Sequence, residues 1–506
     1  MIYSYREEKV LLRGELPVSN FSPVREYMDY ISGGIVCPLG ITYAGRRMPT
    51  TIPYSPTITA PFPQVFTGVN YNPVGYSADV KYLNTSTWVE SSITPYATTD
   101  YTALGVLGAP TGSFTVGGIW HHADLNTGWF MTNGASVVFR EPVTGVVFSA
   151  SVGESTTCCV HKGRLYFGGL VDFLPPTYVD KVKSFKTIHT SETLETTRNM
   201  VSISSVDLDE VYWRFFPWMF DKDSFVNHTM RGESSIIQMD WPGEVIKLEP
   251  LGDMVVVYGT RAISILGVNE GGFPYQRKIA NFGLGNAALA SAGGHRGRVA
   301  SSGSEHVFID SSGELCKVTS AYEVKRLGYY DAALLQSNTI ATYSPLTDTY
   351  YFASTTADIG FALTPEGFSR TEHRVISIMN MGEEYGVVSP PVTDDFTVTT
   401  PVDSFGTTNR KNYSEIKVLT DGSVSPQNLE IKFYTRDSID TPWQATIWEK
   451  VSREGSIFVQ KTGIDCQVEV RSTTPGSGFA ILDIQVIYEI SPERMDNYRG
   501  RSLKDG

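Results

Sequence analysis

Five stretches of the chain repeat one theme: GWFMTNGASVVFR at 128–140, HKGRLYFGGL at 161–170, DMVVVYGTRAISILGV at 253–268, EHVFIDSSGELCKV at 305–318 and DTYYFASTTADIGFAL at 348–363. Each is a short apolar alternation, a few turn residues and a second alternation, which is the signature of a β-hairpin. Their starts fall about 35 to 50 residues apart, one wide gap excepted, and that is the length a four-stranded propeller blade consumes. A ring of blades also leaves only short, protected strand edges. The series therefore predicts an all-β chain with a β-propeller over residues 71–395, of six blades within an allowed range of five to seven.

The residue vocabulary agrees. Tyr (27) and Phe (25) are abundant among Thr and Ser, while the Ala/Leu/Glu/Lys runs that favour helices are scarce. At 506 residues the chain exceeds one ordinary core, so further domains are expected. Residues 1–70 read as an extended Pro-rich arm, because Pro53, Pro56, Pro61 and Pro63 forbid helix and central strand alike. After residue 395 the strands lengthen, as in LEIKFYTRD, SIFVQKTG and ILDIQVIYEI, and 396–490 is expected to form a β-sandwich. Residues 491–506 form a polar tail. The wide gap, 171–245, marks an insertion or an irregular blade.

A net charge of −13 without acidic or basic blocks removes the cationic footprint of a tight nucleic-acid binder. Five scattered cysteines suit a reducing cytosol better than a disulfide framework. The charged N-terminal residues do not resemble a signal peptide, and no apolar run reaches the length of about 18 residues needed to cross a bilayer. Synthesis in the cytoplasm without a membrane span is the expectation.

Candidate chemistry is thin. Gly283-x-Gly285-x-x-Ala288 matches a loose dinucleotide fingerprint but lacks the βαβ context that gives it meaning, so it reads as a small-residue turn. Cys158, Cys159 and His161, with His121, His122 and Asp124, carry metal-ligand types, yet adjacent cysteines do not mimic the separated pairs that fold around zinc. The turn Asp310-Ser311-Ser312-Gly313-Glu314-Leu315 is near a sialidase-type repeat but has one residue too many and no Trp. Glycosidase chemistry needs two carboxylates at a set separation, and Asp394, Asp395, Asp437 and Asp440 read as solvated loop acids. No catalytic residue, metal or cofactor is expected. The densest aromatic stretch, VYWRFFPWMF at 211–220, exceeds what a lone loop needs, so Trp213, Phe215, Phe216, Trp218 and Phe220 are candidate subunit or partner contacts.

The order of parts resembles the tail nozzle, or tail tube, proteins of short-tailed bacteriophages, related to packaged-DNA-stabilising tail factors. The resemblance rests on the Pro-rich arm, HKGRLYFGGL, MVVVYGTRAISILGV, NFGLGNAALASAGG leading into HVFIDSSGELCKV, YSPLTDTYYFAS, and the sandwich closing on ILDIQVIYEI. It implies a non-enzymatic virion protein. Such a protein forms a ring, a hexamer, that extends the portal channel, retains the DNA and conducts the genome at ejection. Its expected neighbours are portal or head-to-tail adaptor proteins and tail fibres or spikes, with double-stranded DNA passing transiently. The aromatic insertion has no counterpart in that family. Six copies at −13 would carry −78, which suits a lumen that must pass DNA without holding it. A receptor-binding or glycan-degrading propeller of a tail is the rival expectation.

Overall fold

The computed structural model describes residues 154–171, 198–204, 235–269, 273–285, 298–329, 339–345, 348–354, 357–371, 396–422, 425–472 and 480–491, with Leu335 and, elsewhere, the backbone of isolated strands. Strands dominate, and a single 3-10 turn at Pro426–Asn428 interrupts them among the described residues. No helix among them is long and apolar enough to cross a membrane.

Four four-stranded antiparallel sheets, and then a four-strand antiparallel run that forms one end of a ten-stranded sheet, follow one another in chain order. They begin at His121–Leu125, Glu154–His161, Val245–Leu251, Val299–Ser301 and Thr339–Ser344, and in each the strands pair in sequence order. Three-stranded sheets flank the series, one from residues 72–93 and one in which Ser377–Asn380 and Tyr385–Ser389 take on Thr51–Pro53. This is the propeller, with five complete blades and two thinner sheets, within the expected range of five to seven. First strands pack side by side: 121–125 on 154–161, 154–161 on 245–251, and 299–301 on 339–344. Between 154–161 and 245–251 the contact runs through small hydroxyl residues of the first strand. Thr156 Oγ1 donates to Val245 O at 2.7 Å, and Ser155, Thr156 and Thr157 are fully buried.

Burial on both faces distinguishes these strands from those of an open sheet. In His306–Ile309 every residue is buried. Phe308 joins Val256, Tyr258 and Ile265 of the preceding blade, while Val307 and Ile309 join Tyr350, Phe352 and Phe361 of the next. The alternation of the hairpin 306–318 thus sorts residues between two neighbours rather than between core and solvent. Each such side chain contributes about 1.5–3 kcal/mol of burial.

The irregular region 171–245 supplies the outer half of one blade, since Met200–Ile203 and Ser235–Gln238 complete the sheet begun at 154–171.

The C-terminal region is a two-sheet sandwich. Along Leu429–Arg436, Leu429, Ile431, Phe433 and Thr435 are buried and the residues between them half-buried, the period-two pattern of a strand with one covered face. Its core gathers Tyr413, Ile416, Val418, Phe433, Val468, Ile484 and Tyr488. Residues of the N-terminal arm complete both sheets. Arg6–Val10 pairs with 484–488, and Gly40–Tyr43 pairs with Ala480 and Ile481. Tyr30–Ser32 lies between the outer blade strand Gly367–Thr371, where Ser32 faces Arg370, and the sandwich strand Thr397–Thr399. The described strands of the arm tie the two units together, while Pro56, Pro61 and Pro63 lie outside the described residues.

Candidate functional site

The chemistry of the described residues concentrates at the turn that closes the hairpin 306–318. Gly313 has φ 84°, a left-handed step that suits glycine, and its N–H donates to Asp310 O at 3.1 Å. Asp310 points inward and is almost fully buried. Its Oδ1 accepts from Ser312 N at 2.8 Å, Ser312 Oγ at 2.6 Å and Glu314 N at 3.0 Å. Glu314, also buried, accepts Gly328 N at 3.3 Å through Oε1 and pairs through Oε2 with Arg326. The Arg326 guanidinium stands 3.6 Å from Asp310 Oδ2 and 4.5 Å from the Phe282 ring centroid.

Neighbouring segments are tied in as well. Ser311 N donates to Gly283 O at 2.9 Å, and the buried Arg298 donates to Leu335 O at 2.9 Å. Burial lowers the Arg298 pKa to about 10, against the opposing pull of Asp310. Ligand atoms of Asp310, Glu314 and Cys316 lie within 4.8 Å of one another, so a metal must be considered. Burial first, then the two carboxylates, push the Cys316 thiol up to about 12, which keeps it protonated and a poor ligand. The carboxylates already hold Arg326 and backbone donors, so an ion would have to displace them. The arrangement is that of a hydrogen-bonded knot joining blades.

A second buried polar group lies one blade edge away. His306 Nε2 donates to Pro250 O at 2.9 Å, because a carbonyl can only accept, and Nδ1 therefore accepts the Tyr258 hydroxyl at 2.9 Å. Burial lowers the His306 pKa. The ring is neutral and fixed in one tautomer by two partners.

Gly283 and Gly285 sit in a close crossing, where a Cβ on Gly283 would stand 2.0 Å from Gly259 O. They are packing glycines there, and Ala288 lies outside the described residues. Cys158 and Cys159 are buried strand thiols whose pKa values burial raises. The strands carrying them and His121, His122 and Asp124 are neighbours, though the latter side chains lie outside the described residues. Asp437 is 3.3 Å from Arg410, Asp440 is exposed, and Asp394 and Asp395 lie outside the described residues. So do Trp213, Phe215, Phe216, Trp218 and Phe220. The sequence reading missed a groove between the blades 299–326 and 339–371, of about 380 Å³, lined by Glu305, Lys317, Asp348, Tyr350 and Glu366 among others. These residues come from separate turns and strands, and no local motif links them.

No family model matches the chain, and no curated protein matches it. Among solved structures it is similar to PorZ, an essential bacterial surface component of the type IX secretion system of Porphyromonas gingivalis, at 8% identity and a TM-score of 0.35. That match covers 74% of this chain and 45% of PorZ, so the chain spans about half the length of that protein. It is also similar to a chain of a nidogen/laminin complex (9% identity, TM-score 0.29, 60% of this chain and 97% of that one). BamB from Moraxella catarrhalis matches at 8% identity and a TM-score of 0.31, over 67% of this chain and 91% of BamB. Scores of this size carry no argument about what the chain does, and the propeller assignment rests on the order and packing of the sheets.

Proposed function

We propose that this is a structural virion protein: a subunit of a ring, a hexamer, in a bacteriophage tail of the nozzle or tube kind. In this reading it is made in the host cytoplasm, extends the portal channel, retains packaged DNA and conducts the genome at ejection. The observation that supports it most is the tie of Tyr30–Ser32 between the outer blade strand and the sandwich, backed by Arg6–Val10 in the sandwich sheet. Strand pairing across that junction suits a part that transmits load rather than one that swings open around a substrate. The Asp310 knot, with its polar groups spent on internal bonds, fits the same role without catalysis.

In this reading the duplex path runs between subunits rather than through one propeller, and the burial of Thr156, Thr157 and Val245 where the blades 154–238 and 245–280 meet is compatible with that. Portal or adaptor proteins and tail fibres or spikes are the proposed neighbours, with the aromatic segment 211–220 as one contact. Immunogold labelling of intact particles tests this reading. Gold at the vertex where the tail meets the head is expected, whereas gold at the tips of receptor-binding appendages would favour a receptor-binding or glycan-degrading tail protein.

A further inference from the structure

The groove between the blades 299–326 and 339–371 has the chemistry of a binding site. Its walls are apolar, from Val307, Leu327, Tyr329 and Leu363. Its rim is acidic: Glu305, Asp348 and Glu366 face one cation, Lys317. The groove also already displays the group that such walls and rim accommodate. The Lys317 ammonium is ion-paired with Glu305, and Glu305 accepts the Tyr350 hydroxyl at 3.1 Å. That pair satisfies one carboxylate and leaves two.

Asp348 accepts the Tyr343 hydroxyl at 2.7 Å and is exposed. Glu366 makes no ion pair among the described residues. Burial, then Asp348, then Glu305 raise the Tyr343 pKa to about 12. Tyr329 and Tyr350 line the groove and supply aromatic surface of the kind that attracts a cation, and the Tyr350 ring lies 4.7 Å from that of Tyr343. Asp348 itself holds φ 46°, a left-handed conformation uncommon outside glycine, at the turn that carries its carboxylate to the rim.

We propose that this groove receives a basic side chain, the ammonium or guanidinium of a lysine or arginine presented by a partner protein, with its aliphatic stem along Leu327 and Leu363 and its charge at Asp348 and Glu366. Three carboxylates against one ammonium supply the charge complementarity. A protein source is favoured over a free metabolite because the groove opens to solvent at Asp348 and Pro365, both exposed. A small ligand of its own generally has most of its surface enclosed, whereas a single anchoring side chain draws the rest of its affinity from the surface around the groove. The assignment does not rest on the virion reading.

The test uses the full chain and ligand-observed saturation-transfer NMR with Nα-acetyl-arginine amide and Nα-acetyl-lysine amide, against Nα-acetyl-norleucine amide as the uncharged control. Saturation of the side-chain methylenes of the basic probes is expected, with a norleucine signal weaker by about five-fold, the order of one partly exposed charge interaction. The double variant D348N/E366Q should lose about that factor for the basic probes alone. Should that variant fail to fold, P365K, at an exposed groove position, places a competing ammonium at the rim and should weaken the same signals. Equal saturation by norleucine, or undiminished binding to a folded variant, would overturn the proposal. So would spermidine binding more than about ten-fold tighter than either amino-acid probe, which would assign the groove to free polyamines.

Discussion

Replacing Asp310 by Ala tests the knot at its centre. The substitution removes the one acceptor shared by Ser312 N, Ser312 Oγ and Glu314 N. Ser312 is exposed, so water can replace its lost bonds at little cost. Glu314 N is not exposed, since Glu314 is 2% accessible, and an unsatisfied buried donor costs about 1–3 kcal/mol. The lost attraction to Arg326, a residue with a half-exposed side chain, adds only about 0.5 kcal/mol. A destabilisation of about 2–3 kcal/mol is therefore expected for Asp310→Ala. Asp310→Asn keeps an oxygen at the Oδ1 position and should cost only about 1 kcal/mol. Urea unfolding of the three proteins, with hydrogen exchange of a peptide covering 306–318, measures both. The account fails if Ala and Asn are equally damaging, which would make charge and not acceptor geometry the cause, or if Ala lies within about 0.5 kcal/mol of wild type.

Other outcomes follow from the same geometry. Gly313→Val puts a β-branched residue at φ 84° and should lower stability by about 1–3 kcal/mol in thermal or urea unfolding, whereas Ser311→Ala should stay within about 0.5 kcal/mol. Burial holds the His306 pKa below the ordinary imidazole value of about 6.5, so the unfolded chain takes up a proton before the native one does. Stability is then complete above about pH 6.5 and falls as the pH drops from there toward the depressed native value, by at most about 1.4 kcal/mol per pH unit from this residue. His306→Gln should flatten that limb in unfolding curves recorded between about pH 5 and 8. Lys411 is buried with its ammonium on Thr407 O (3.1 Å), Asn409 O (3.3 Å) and Ile464 O (2.8 Å), so Lys411→Met should destabilise the sandwich by about 1–3 kcal/mol in the same assay.

The propeller was legible because each hairpin announces itself locally, and the stretch 305–318 forms the strand, turn and strand its pattern predicts. The sandwich was legible from the alternation of Leu429–Arg436. Pairing partners were not. Nothing in the sequence of Tyr30–Ser32 specifies that it lies between residues 367–371 and 397–399, because strand pairing over hundreds of residues depends on which edges the rest of the fold leaves open. The blade 154–238 was obscured because its two outer strands lie inside a long gap. Asp310 looked like an ordinary turn acid, and only the arrival of Arg326 and the 282–283 segment makes it a buried acceptor. The groove escaped for the same reason, with Glu305, Lys317, Asp348 and Glu366 converging from four positions along the chain.

The central claim is a ring of six subunits, and the mass and symmetry of the purified full-length protein test it most directly. Light scattering of the assembled species, combined with negative-stain averaging, should give about 335 kDa, six copies of 55.8 kDa, as rings with a central channel. A monodisperse compact trimer without a channel would contradict the ring and favour a receptor-binding or glycan-degrading tail protein.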